Sequence, residues 1–179
     1  MIKRMQQLLL ALFYLLTNAG YRLIKKSGIF DSAYYLTANP DVAIAGNHPL
    51  VHYFREGWKE GRSPNVLFDI SFYFKQAPEI KGGTVEPVLH FISEGWRQGR
   101  KPSPYFDPLY YAEKNSDAEF SRLNPLSHFI NQGWPEGKFQ HPYIDLQFYQ
   151  RRYPDVAESG LDPLIHFIKI GFINIQNFG

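Results

Sequence analysis

The pair Phe30-Asp31 returns as Phe68-Asp69, Phe106-Asp107 and Ile144-Asp145, each time 38 residues further on. The same offset carries Tyr35, Tyr73, Tyr111 and Tyr149, then Pro49, Pro87, Pro125 and Pro163. It also carries His52, His90, His128 and His166, and Gly57, Gly95, Gly133 and Gly171. Four units therefore follow one another without insertion or deletion, at 30–67, 68–105, 106–143 and a divergent, capping 144–179. A unit this short cannot bury its own apolar face and must stack on its neighbours. Strict spacing means that every connection is packed, because free surface loops tolerate changes of length.

Each unit reads as two short helices, which makes the expected fold an all-α, four-unit repeat array. Asp31 stands where an N-cap belongs, ahead of a first helix over 32–38 whose Tyr34, Tyr35 and Leu36 supply the apolar contact. That helix stops near Pro40, Pro78 or Pro154. A second helix over 49–56 opens on Pro49, where a missing N–H costs nothing. Its Leu50, Tyr53 and Phe54 fall at i, i+3 and i+4, and Gly57 is expected to close it. Trp58 and Gly61-Arg62 then deliver the chain to the next Phe-Asp. Helices of two turns are unstable alone, so stacking must hold them. The 15 Phe and 12 Tyr provide the rings for shared aromatic layers.

The repeated polar residues have structural explanations. Four histidines at one offset do not converge on one ion as a metal site requires, so a turn carbonyl or a tyrosine hydroxyl is the expected partner of each. The aspartates are expected as caps. Trp58, Trp96 and Trp134 pack on their helices or form a sugar-stacking ladder. Arg62, Arg100 and Lys138 cap helix ends or pair with the acids at positions 60 and 136, with anion binding as the alternative. Trp58, Trp96, Trp134, Arg62 and Arg100 are thus the candidate partner or glycan surface. The chain has no phosphate-cradling glycine loop, no G-x-S-x-G elbow, no H-E-x-x-H and no calcium-loop pattern. The absence of cysteine removes thiol nucleophiles and thiolate metal sites. The expectation is a protein with no catalytic residue, no metal and no cofactor.

Residues 1–29 stand outside the repeat. Lys3, Arg4, Arg22, Lys25 and Lys26 give them a charge of +5 with no acid, while the other 14 basic and 17 acidic residues carry −3. The basic charge is local, and no nucleic-acid footprint is indicated. On a helical wheel Arg4, Gln7, Ala11, Tyr14, Asn18, Arg22 and Lys25 form a narrow stripe, opposite a broad side built from Leu8, Leu9, Leu12, Phe13, Leu16 and their neighbours. The pattern predicts a cationic amphipathic helix over 1–29. Its longest apolar run, Leu8 to Leu16, is nine residues, against about 20 for a membrane span. Lying in a membrane interface, or docking on a membrane protein, fits better, with the basic residues toward anionic head groups. Two rivals are a secretory signal cleaved after Ala19 and a core helix that caps the array.

The motif in Phe30-Asp31, Tyr34-Tyr35, Asn39-Pro40-Asp41-Val42-Ala43, Pro49-Leu50, His52-Tyr53 and Gly57-Trp58-Lys59-Glu60-Gly61-Arg62-Ser63-Pro64 resembles a bacterial repeat that accompanies polysaccharide-building glycosyltransferases. Similar stretches occur in large secreted calcium-binding proteins of the RTX type. The resemblance covers about 150 of the 179 residues and implies a role in making or exporting surface polysaccharide. No nucleotide-sugar domain or Asp-x-Asp motif accompanies it, so it carries over no catalytic residue. The expected function is a non-enzymatic scaffold or accessory subunit, peripheral on the cytoplasmic face of the bacterial membrane. Its expected partners are the membrane surface, an integral membrane complex or a glycosyltransferase. The alternatives are a secreted glycan-binding module and a regulatory glycosyltransferase subunit. The apolar tail from Ile168 to Phe178 is expected to be a capping edge or docking surface.

Overall fold

The computed structural model describes residues 2–83, 85–116, 123–133, 146–154, 156 and 163–168. The chain divides into two compact units, 1–138 and 139–179. The fold is all-α: the described residues form helices and turns, with isolated bridges at Asn65–Phe68 and Ser103–Phe106 and no sheet.

In the first unit, α1 (Ile2–Thr17) and α2 (Ala19–Ser27) precede α3 (Ser32–Ala38), α4 (Pro40–Ile44) and α5 (Pro49–His52). Next come α6 (Ile70–Gln76), a 3-10 turn Pro78–Ile80 and α7 (Pro87–His90), then α8 (Pro108–Lys114) and α9 (Pro125–His128). The second unit contains α10 (Leu146–Arg152) and α11 (Pro163–His166). Helices fall at both expected offsets. The 49–56 helix is α-helical only to His52 and continues as a π turn, Tyr53–Gly57. The same change occurs at Phe91–Gly95 and Phe129–Gly133. α4 and the 3-10 turn at Pro78 are extra pieces: proline ends the preceding helix and, lacking an N–H, starts a new turn.

The caps form as their chemistry dictates. Asp31 Oδ1 accepts from the N–H groups of Ala33 (2.8 Å) and Tyr34 (3.0 Å). Asp69 and Asp107 accept from Phe72 and Tyr110, both at 3.0 Å. The N–H of Asp31 donates to Pro64 O (3.1 Å) and that of Asp69 to Pro102 O (2.9 Å), which ties the start of a unit to its end. Asp145 lies outside the described residues.

One aromatic layer recurs. Phe30, Tyr35 and Tyr53 meet at centroid distances of 5.2–5.8 Å. Phe68, Tyr73 and Phe91 do so at 5.1–6.0 Å, and Phe106, Tyr111 and Phe129 at 5.4–5.6 Å. Within each layer the tyrosine hydroxyl reaches the histidine 17 residues on: Tyr35–His52 Nδ1 2.9 Å, Tyr73–His90 2.8 Å and Tyr111–His128 3.0 Å. In the second unit Tyr149 and His166 pair at 2.9 Å. Of the two partners expected for these histidines, a turn carbonyl or a tyrosine hydroxyl, the tyrosine is the one found. The glycines end the helical run as expected, and it is space that requires glycine there. A Cβ on Gly57 would lie 2.0 Å from the Tyr35 hydroxyl, one on Gly95 2.0 Å from that of Tyr73, and one on Gly133 1.9 Å from that of Tyr111. Glycine is needed there for space, and the left-handed turns come later, at Gly61 (φ 77°) and Gly99 (φ 75°).

One difference between the layers is a buried carboxyl. Glu86, the N-cap of α7, accepts from Val88 N–H (3.1 Å), from Leu89 N–H (2.7 Å) and from the Tyr53 hydroxyl. At that offset the other units carry His48, Asn124 and Asp162, and the ring after Tyr53 is Phe91, which has no hydroxyl. Burial raises the Glu86 carboxyl to about 7 despite its three donors.

Candidate interaction surface

The 1–29 segment is two helices, which corrects the single amphipathic helix predicted for it. They are bent by 102° at Asn18, whose backbone is extended (φ −117°, ψ 114°) and whose side chain accepts from Tyr21 N–H (3.0 Å). Asparagine caps α2 at this point instead of continuing α1. Gly20 allows a close approach, since a Cβ there would lie 2.8 Å from a Leu89 methyl. Tyr21 (1% exposed) and Ile24 (0%) are core residues. Tyr21 packs on Phe54, and at the far end Asn131 Nδ2 donates to Ser27 O (3.0 Å). α2 thus rests on residues from three successive units. Arg22 is exposed and donates to Leu15 O (3.3 Å) and Leu16 O (3.1 Å), where its charge offsets the negative end of α1.

α1 is attached by its polar stripe. Gln7 Oε1 accepts from the N–H of His48 (3.0 Å), and Tyr14 packs edge-on against Phe54 at 5.8 Å. Its apolar side faces away from the protein: Ile2, Met5, Leu8, Leu9, Leu12, Phe13 and Leu16 are each 50–70% exposed. No described helix alone is long and apolar enough to cross a membrane. Lys3, Arg4, Lys25 and Lys26 are exposed and enter no ion pair among the described residues.

Between the start of α1 and the α3–α4–α5 corner lies a cleft of about 570 Å³. Lys3 and Arg4 stand on one wall; Leu8, Leu36 and Ala43 provide apolar lining; Gln7, Asn47 and His48 supply polar groups. None of its lining residues is acidic. Burial, helped by the positive charge of Lys25, holds the His48 imidazole below its ordinary range. His48 Nδ1 accepts from Val51 N–H (3.4 Å), so the proton of the neutral ring sits on Nε2. Of these residues the sequence places Ala43 only in the repeat motif and Gln7 only in the polar stripe, and it points to Asn47 in no way.

The other candidate positions are occupied by internal contacts. Trp58 is 6% exposed and donates from Nε1 to Phe54 O (3.2 Å), which leaves little ring for a ligand. Trp96 is half-buried, with the Arg97 guanidinium 4.5 Å from its ring, and borders a cleft of about 150 Å³. Arg62 binds both carboxylate oxygens of Asp41 at 2.8 Å and Glu60 at 2.6 Å, and Arg100 binds Glu79. Arg62 holds Asp41 below the usual carboxylate range; Glu79 is lowered by its own backbone N–H and then by Arg100. Trp134, Lys138, the acid at position 136 and the tail from 169 onward lie outside the described residues. Among the described residues no group of three His, Asp or Glu side chains is placed to hold a metal. No protein-family model, no curated protein and no solved structure matches the chain.

Proposed function

We propose that the protein is a non-enzymatic, membrane-attached accessory that lies on an anionic bilayer through α1 and presents its helical repeat to a membrane complex. One observation carries this reading: α1 binds its own protein by Gln7 and Tyr14 and turns seven large apolar side chains outward. Folding in water favours the opposite orientation. Inserting seven side chains that are already half exposed recovers on the order of 1 kcal/mol each before ordering costs, enough for reversible attachment. The +5 charge of residues 1–29 adds attraction to anionic lipid. The cytoplasmic face of a bacterial membrane supplies such a surface, and the likeness of the repeat to those beside polysaccharide glycosyltransferases supports an assembly complex for surface polysaccharide as the partner. The buried state of Trp58 favours this reading over a tryptophan-ladder glycan module.

Flotation with vesicles containing phosphatidylglycerol is the test. The full chain is expected to float with them, and Leu8→Gln/Leu12→Gln/Leu16→Gln to remain below. Flotation of that triple variant as complete as the parent's would refute the attachment.

A further inference from the structure

The geometry points to the cleft beside α1 as a binding site for a single phospholipid with an anionic head group. This rests on the membrane reading and goes beyond it, because an interfacial helix needs no selective site. The cleft has the two-part chemistry of a lipid. Lys3 and Arg4 offer flexible cationic donors on the α1 wall, and no lining residue is acidic. Lys25 lies near enough to His48 to act on its ionisation. Beyond the charged wall, Leu8, Leu36 and Ala43 supply an apolar lining for the first methylenes of an acyl chain.

The site is built by tertiary contacts. Gln7 Oε1 fixes the His48 N–H at 3.0 Å, across 41 residues of sequence, and so joins the two walls. His48 has Nδ1 committed to its helix cap, leaving Nε2–H as a neutral donor. A guanidinium together with an ammonium suits a phosphodiester, which accepts several charge-assisted hydrogen bonds. Leu8 belongs both to the cleft and to the outward apolar face, so the cleft adjoins the surface that meets the bilayer. A volume of about 570 Å³ admits a head group and the start of its chains, leaving the remainder in the membrane.

The test titrates the full chain with dihexanoyl phosphatidylglycerol below its micelle concentration, following the amide resonances of Gln7, Asn47 and His48. Saturable shifts are expected, with affinity at least about ten-fold above that for dihexanoyl phosphatidylcholine. Ala43→Trp fills the cleft without altering charge and is expected to abolish saturation while the protein still floats with anionic vesicles. Lys3→Gln/Arg4→Gln gives an independent loss of selectivity should the tryptophan disturb folding. Equal affinity for the two lipids overturns the inference, as does saturation by inorganic phosphate or by hexaglutamate as tight as that by lipid. The parent floating with no saturable shift removes the cleft and leaves the attachment standing. Saturation without flotation keeps the cleft and removes the attachment.

Discussion

α1 and α2 are consecutive helices cut from one apolar, basic stretch, yet they treat water oppositely. α2 buries Tyr21 and Ile24 and keeps Leu23 half exposed, in the ordinary amphipathic sense. α1 exposes its leucines and spends Gln7 and Tyr14 on the protein. α1 is the more apolar and α2 the more basic of the two, but what divides them is the Asn18 cap and the seat of Gly20 against Leu89. The lesson is that an apolar helical face acquires its role from what stands opposite it. α2 has the repeat, and α1 has an empty side.

Breaking the α2 side has the largest expected effect. Ile24→Ala removes a fully buried side chain that rests on the repeat and is expected to cost about 2–5 kcal/mol in urea unfolding. A loss below about 0.5 kcal/mol would mean that α2 is no more integral than α1.

The layer beneath α2 carries a pH dependence of its own. Glu86 keeps its proton in the folded chain up to about 7, against an ordinary 4.5. Between those values the folded state binds more protons than the unfolded, so this group's stabilisation is complete below 4.5 and declines as pH rises through 7. The decline is on the order of 3 kcal/mol. Glu86→Gln cannot ionise, so urea melts from pH 4 to 9 should show the parent losing stability relative to this variant and levelling off above 8. A constant difference across that range would place an ionised carboxylate in the core.

Much of the repeat was legible because its signals are local. Asp31, Asp69 and Asp107 cap the helices that directly follow them, and each repeated histidine meets a tyrosine of its own unit. The Asn18 break was not legible: a helical wheel assumes an unbroken helix, and the cap is decided by contacts of Tyr21 and Gly20 with residues far along the chain. Nor was the cleft, since Gln7 and His48 are 41 residues apart and neither belongs to a motif. Gly57 does end the helical run, but spacing alone cannot separate a conformational need for glycine from a spatial one. Gly57→Ala distinguishes the two. It is expected to cost about 1–3 kcal/mol by crowding the Tyr35 hydroxyl, and Tyr35→Phe, which removes that oxygen, should recover part of the loss in the double variant. Without recovery the crowding account fails.

The smallest expected effect on stability is also the sharpest test of the contrast. Leu8, Leu12 and Leu16 are each at least half exposed on α1, so exchanging them for glutamine removes little buried area. Glutamine is also as good a helix former as leucine to within a few tenths of a kcal/mol. Urea unfolding of Leu8→Gln/Leu12→Gln/Leu16→Gln should therefore match the parent within about 0.5 kcal/mol, against the several kcal/mol expected for Ile24→Ala alone. A destabilisation of comparable size would mean that these leucines are packed in solution, and α1 would then be a second core helix instead of a free face. Unchanged stability, together with lost flotation, would assign the leucines to a surface outside the protein.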